Sequence, residues 1–204
     1  MDATVTTLEQ LRTLYKPARP RSVQKQLSAL DQHCVDFVAL SRFVVISTGG
    51  SDGQMDASPR GGDAGFVKVA DANTVLIPDW PGNNRLDTLS NIVETGRAGL
   101  IFLVNGVQET LRINGPAQLR LDPESLRVCE TGGKLPKLVI AVHVDEAYLH
   151  CAKSIMRSKL WTDEARVERS ALPSMGQMLK DQIGDGSLVE TQGAMEARYA
   201  EELY

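Results

Sequence analysis

Apolar and polar positions change period twice along the chain, from helical to alternating near residue 43 and back to helical near residue 150. Phe43-Val44-Val45-Ile46-Ser47 predicts a buried strand, and residues 66–70, 74–77, 98–104, 110–119 and 138–144 predict five more β-branched runs. Asp71-Ala72-Asn73 and Asn105-Gly106 read as hairpin turns between some of them. Six strands at short spacing, mostly joined by tight turns, favour an antiparallel barrel over a parallel βαβ sheet. A glycine-rich connection, residues 49–65, follows the first strand.

The helical period predicts five or six further elements. Ser22 caps a short helix carrying Val23, Leu27 and Leu30, and residues 31–40 form a second with Cys34, Val35, Phe37 and Val38 facing the core. One helix, residues 84–95, interrupts the strands, with Leu86, Leu89, Ile92 and Val93 as its apolar stripe and Gly96 as its stop. Residues 150–160 and 173–183 have helical composition, and residues 190–204 read as a third helix or a frayed tail. The chain thus divides into a helical leader, residues 1–30, a barrel domain, residues 31–162, and a helical extension, residues 163–204. The fold class is mainly β with flanking helices.

Charge narrows the partners. The 22 basic and 26 acidic residues give a net of −4, which argues against a general nucleic-acid binder. The leader alone is +3, from Arg12, Lys16, Arg19, Arg21 and Lys25 against Asp2 and Glu9, while residues 171–204 are −4. The leader has Tyr15 as its one aromatic and reads as a solvated arm rather than a stacking surface. Cys34, Cys129 and Cys151 are odd in number and widely spaced, so a reduced, cytoplasmic compartment is expected. The start Met1-Asp2-Ala3-Thr4 lacks the apolar core of a signal peptide, and no apolar run approaches the roughly 20 residues that span a bilayer. No membrane association is expected.

Three segments carry candidate chemistry. Pro81-Gly82-Asn83-Asn84-Arg85 opens the central helix, where free amides, the dipole and an arginine suit a phosphate; a plain Asn cap accounts for it as well. Asp56-Ala57-Ser58-Pro59-Arg60-Gly61-Gly62-Asp63 sets a hydroxyl, amides and a guanidinium within three residues, which suits a dianion or equally a solvated hairpin. In Cys151-Ala152-Lys153-Ser154-Ile155-Met156-Arg157, Lys153 and Arg157 repel at i and i+4 unless an anion lies between them; a solvated basic face with Trp161 as a packing anchor accounts for the run as well. GxxxxGK[ST], GxGxxG and GxSxG are absent, and His33, His143 and His150 fall in no paired metal-ligand spacing, so P-loop, Rossmann, α/β-hydrolase and zinc-site readings lack support.

Taken in order, Ser58-Pro59-Arg60-Gly61, Gly65-Phe66-Val67, Ile77-Pro78-Asp79-Trp80-Pro81-Gly82-Asn83-Asn84-Arg85-Leu86-Asp87, Asn91-Ile92, residues 109–115 and His150-Cys151-Ala152-Lys153 resemble the pyridoxamine 5′-phosphate oxidase-like, FMN-binding split-barrel flavoproteins. More narrowly, they resemble a subgroup of FMN-dependent proteins with SPRG and PGNNR motifs. The resemblance implies a six-stranded split β-barrel and a homodimer with FMN at the subunit interface. It places Ser58 and Arg60 against phosphate and ring edge, Pro78 against the isoalloxazine, and Asn84 and Arg85 at the phosphate turn. Thr110 stands where the oxidases carry a flavin-contacting Gln from the other subunit. Lys153 and Ser154 match a Gln-Ser pair that also reaches FMN, with Arg157 and Trp161 at the rim.

The function implied is an oxidoreductase transferring a hydride between flavin and a small molecule, with NADH or NADPH as candidate electron donor. The flavin carries the chemistry, so no side chain is assigned as general acid or base. The segment Ala197-Arg198-Tyr199-Ala200-Glu201-Glu202-Leu203-Tyr204 lacks the RxH signature of oxidases that grip pyridoxamine phosphate, so that substrate is not expected. The alternative is a non-catalytic flavin- or haem-binding barrel, with His150 as axial ligand in the haem case.

Overall fold

A computed structural model describes residues 4–184 and 189–202. In chain order the elements are α1 (Leu8–Leu14), α2 (Pro20–Gln24), α3 (Gln32–Leu40), β1 (Phe43–Gly49), β2 (Met55–Gly61), β3 (Lys68–Asp71), β4 (Thr74–Asp79), α4 (Asp87–Thr95), β5 (Arg97–Leu103), β6 (Thr110–Arg120), α5 (Pro123–Val128), β7 (Leu138–His143), β8 (Glu146–His150), α6 (Lys153–Ser158), α7 (Met175–Ile183) and α8 (Gln192–Glu202).

All strand pairs are antiparallel, in the order β2-β1-β5-β6-β7-β4-β3, with β8 also pairing β6. The long strand β6 holds the two halves together. Its first part pairs β5 and β8, through Thr110↔His150 among others, and its last part pairs β7, from Ala117↔Val142 to Arg120↔Val139. Where β6 passes from one half to the other, Gly115 runs against the β7–β8 turn so closely that a Cβ there would lie 1.8 Å from the His143 carbonyl oxygen. This is the split-barrel arrangement.

Core side chains come from both halves, including Val44, Ile46, Leu100, Phe102, Leu111 and Ile113 on one side and Val75, Ile77, Ile140 and Val142 on the other. α3 supplies Cys34 and Val38, and α4 supplies Leu89 and Ile92. A second small cluster, Leu76, Cys129, Val139 and Ala141, lies on the opposite face of β4 and β7 beneath α5. Those two strands are buried on both faces, which is why they read as unbroken apolar runs rather than alternations.

Several expectations need correction. Among the described residues the strand count is eight, not six. β2 lies inside the glycine-rich stretch, its polar residues and Pro59 disguising an edge strand, and β8 takes residues 146–150, so the helix expected over 150–160 is shorter and begins at Lys153. The central helix begins at Asp87, not Asn84. Its N-cap is Leu86, in left-handed conformation with φ 62° and without a side-chain cap, and Val93 is exposed instead of joining Leu89 and Ile92 inside. Gly96 does end it, at φ 65°. Near the start, α2 is entered through Pro20 with Arg19 as N-cap, not through Ser22, and Leu27 lies beyond it in a β-bridge to Ala147. The third C-terminal helix is formed as α8; Leu203 and Tyr204, like Met1-Asp2-Ala3, lie outside the described residues. Among the described residues no helix is long and apolar enough to cross a membrane.

Candidate functional site

The site lies where the core face of β2 runs past the end of β4 and the start of α4. Alternation along β2 puts Asp56, Ser58 and Arg60 on one face, opposite Thr48, Ile46 and Val44 of β1, so these three polar residues share the side that carries the core. They stay polar because β2 is an edge and the barrel opens there. Asp56 is tied down on both flanks: Ser58 Oγ donates to its carboxylate at 3.0 Å, and Thr88 Oγ1 of α4 donates at 2.6 Å.

Across the opening, β4 ends in Pro78 and Asp79, paired with Val139 and Leu138 of β7. The Arg60 guanidinium reaches over, with Nη2 3.5 Å from Asp79 Oδ1 and Nη1 donating to the Pro59 carbonyl at 3.0 Å. Burial raises the Asp79 carboxyl above its ordinary value, and the Arg60 charge offsets part of that rise.

The connection from β4 to α4 is a sequence of tight backbone turns. Asn83 Oδ1 accepts from the Arg85 amide at 3.0 Å, and both Asn84, at φ 58°, and Leu86 are left-handed. That conformation is tolerable for asparagine and strained for leucine. Arg85 Nε then donates to Asp87 Oδ2 at 2.8 Å, so an acid already occupies the first turn of the helix and an arginine covers it.

Together these segments enclose a pocket of about 730 Å³, within the usual range for small-molecule sites. Ser58, Arg60, Pro78, Asn84 and Arg85, five residues singled out from the sequence, all line it, although they come from three separate stretches of chain. Its charged lining is Arg60, Arg85 and Lys137 against Asp79 and Asp87, an excess of one positive charge.

The other five stand apart from this pocket and gather at the far end of β6. Thr110 pairs with His150, Lys153 and Ser154 open α6, exposed Arg157 follows within it, and Trp161 Nε1 donates to the Val107 carbonyl at 2.8 Å. His150 itself sits in a cationic corner. Its Nε2 is buried without a hydrogen-bond partner, its ring lies 5.0 Å from that of Tyr148, and burial together with Arg112 and Lys25 lowers its pKa.

Sequence reasoning missed Asp79, Lys137 and the Asp56–Thr88 contact. Asp56 could have been found, because it stands two positions from Ser58 in the same strand. Asp79 lies inside the PDWPGNNR run, but its partner depends on how β2 and β4 meet, and Lys137 carries no local signal at all.

A comparison with curated proteins gives no match. Among solved structures, HupZ of Group A Streptococcus is similar at 17% identity over 59% of this chain and 93% of that one, with a TM-score of 0.49. An FAD binding protein from Mycobacterium smegmatis follows at 16% identity, 61% and 97% coverage and a TM-score of 0.44. A Clostridium acetobutylicum protein related to general stress protein 26 of the pyridoxinephosphate oxidase family stands at 13%, 59% and 90%, and 0.44. The family profile described as pyridoxamine 5′-phosphate oxidase matches residues 30–151, more than half of the 204. The chain belongs to the pyridoxamine 5′-phosphate oxidase family.

Proposed function

We propose that the protein binds FMN in the pocket between β2, β4 and α4 and serves as an oxidoreductase that exchanges a hydride between the flavin and a small molecule. The observation that supports this reading is the convergence of Ser58, Arg60, Pro78, Asn84 and Arg85 on one pocket with a positive excess.

The residues suit a flavin nucleotide, with different tasks at the two ends. The Arg85 guanidinium and the amides of the turn other than Arg85's own, which Asn83 holds, are the better phosphate ligands, since the exposed Arg85–Asp87 pair contributes little and yields readily to a dianion. Arg60 is held more firmly, by a mostly buried Asp79, so it is suited to a ring edge and supplies a fixed positive charge there. Pro78 offers a backbone without an amide donor at that position. When bound, FMN supplies hydride transfer at its ring, and the protein's task is to orient it and exclude water.

Thr110, Lys153, Ser154, Arg157 and Trp161 are distant from the pocket within one chain. In this proposal a second copy brings them to it, as the homodimeric site of the resemblance requires, and Lys153 and Arg157 then find the anion that relieves their mutual repulsion. NADH or NADPH is the candidate donor, and the compartment is the cytoplasm.

Purified protein showing a visible flavin spectrum that bleaches anaerobically with NADH or NADPH supports the proposal. Colourless protein that gains no spectral signal from excess FMN contradicts it. One observation favours a second reading, the buried Nε2 of His150, which has no hydrogen-bond partner and whose ring burial disfavours protonating, as an axial haem ligand requires. A Soret band lost in His150→Ala would replace the first reading with that one.

A further inference from the structure

The leader and the C-terminal extension each carry an apolar stripe that the described residues leave exposed or only partly covered. α1 is well specified locally: Thr7 and Gln10 form a reciprocal capping box. Yet it buries no residue, and Leu8, Leu11 and Leu14 lie along one side, Leu8 at 79% exposure. A seven-residue helix in water is marginal without packing. Its own barrel does not supply that packing. Among the described residues the leader's hydrogen bonds to the barrel begin at Lys25: Lys25 to the Leu149 carbonyl, the mutual Leu27–Ala147 amide bonds at 2.9 Å, Asn73 Nδ2 to the Ser28 carbonyl at 3.1 Å, and Leu30 to the Ala72 carbonyl.

The extension shows the same condition. α7 and α8 are braced together, since Gln192 Oε1 accepts from Arg169 Nη2 at 2.9 Å and from the Met175 amide at 3.2 Å. Gly176 approaches the Glu190 carbonyl too closely for a side chain. Met175, Leu179 and Ile183, at i, i+4 and i+8 of α7, nevertheless face solvent, Ile183 at 67%. At the helical rise α1 is about 10 Å long and α7 about 14 Å, so the shorter stripe fits within the longer. They also match in charge: residues 1–30 sum to +3 and residues 171–204 to −4. Arg12, Lys16, Arg19 and Arg21 form no ion pair with the described residues.

We infer that the α1 arm of one copy docks on the α7–α8 extension of a second copy, leucine stripe on Met175, Leu179 and Ile183, with the arm's basic residues facing the acidic extension. Each chain carries both halves of the contact, so a two-fold pair makes it twice and leaves neither stripe exposed. The contact lies outside residues 30–151 that define the family and does not depend on a flavin.

Cysteine pairing tests it. In a Cys151→Ser background, Leu11→Cys and Leu179→Cys chains are co-expressed, oxidised mildly and run on a non-reducing gel. A disulfide-linked species of twice the 22.2 kDa chain mass that forms only when both variants are present, and that falls several-fold when oxidation is done in molar salt, is the expected result. The proposal is overturned by no linked dimer, by an equal yield from Leu11→Cys alone, or by a chain carrying both cysteines that closes on itself instead of linking two chains. Because the readout needs no cofactor, failure of the flavin assignment leaves this result unchanged.

Discussion

Arg60 Nη2 and Asp79 Oδ1 meet at 3.5 Å between β2 and β4, strands that lie far apart in the sheet order and share no ladder. The pair spans the opening between the two halves of the barrel at the point where the pocket forms. Only 26% and 14% of the two side chains are exposed, so it acts in a medium of reduced dielectric and resists casual solvent exchange.

Asp79 therefore opposes any anion that Arg60 helps to bind. Asp79→Asn is expected to tighten FMN binding about five-fold at neutral pH, the equivalent of roughly 1 kcal/mol. The carboxyl's folded pKa is raised above the ordinary 3.8, so its favourable contribution to folding is complete below 3.8 and lost as pH rises through the folded value. Fluorescence titrations of wild type and variant between pH 4 and 7 should draw closer as pH falls, because the raised pKa lets wild-type Asp79 take up a proton earlier than an ordinary carboxyl. A constant ratio across that range would show that Asp79 does not titrate against the ligand.

Glu146 behaves in the opposite sense. Its bond from Arg112 at 2.9 Å, with a further one from Asn114, holds the carboxyl below its ordinary 4.5 against a smaller upward push from burial. The stability it contributes is present above about pH 4.5 and lost as pH falls through the lowered value. Glu146→Gln should cost about 1 kcal/mol at pH 7, measured by urea unfolding, and should flatten the acid limb of the stability curve. An acid limb unchanged in the variant would assign that loss to other carboxylates.

Gly115 has no room for a side chain. A Cβ would stand 1.8 Å from the His143 carbonyl oxygen and 3.0 Å from the Asp145 amide, both backbone atoms fixed by the β7–β8 turn. Gly115→Ala should destabilise by about 3 kcal/mol or more, seen as a large fall in melting temperature or as insoluble expression. Near-wild-type melting would mean that β6 does not cross between the halves as described.

Thiol chemistry separates the three cysteines. Cys34 and Cys129 are buried, and desolvation pushes each thiol up to about 11, whereas Cys151 is exposed. One thiol per chain should react with an aromatic disulfide reagent in native buffer and three after denaturation. Cys151→Ser should abolish the native reaction.

How legible this was depended on where each signal resides. The buried runs of β4 and β7 announce strands because both faces are covered, and Asp31 and Gly96 mark helix ends through local hydrogen bonding and backbone freedom. β2 hides because an edge strand tolerates Pro59, and because its core-side residues face an open pocket and are polar. Leu86 as an N-cap has no propensity behind it; the strained turn before α4 is imposed by the connection to β4. Arg60 and Arg85 were identifiable by charge and motif, but the pairing of Arg60 with Asp79 depends on tertiary closure, and the grouping of Thr110 with Trp161 depends on β8 and the turn before β6.

The central claim is that the pocket holds the phosphate of a flavin nucleotide. It is tested most directly by parallel titration of the protein with FMN and riboflavin, followed by flavin fluorescence, in wild type and Arg85→Ala. FMN should bind at least ten-fold more tightly than riboflavin, and Arg85→Ala should remove most of that difference while leaving riboflavin affinity within two-fold, since about 1.4 kcal/mol per ten-fold is what a charge-assisted phosphate contact provides. Equal affinity for the two flavins, or a preference for FMN undiminished in Arg85→Ala, would contradict the account.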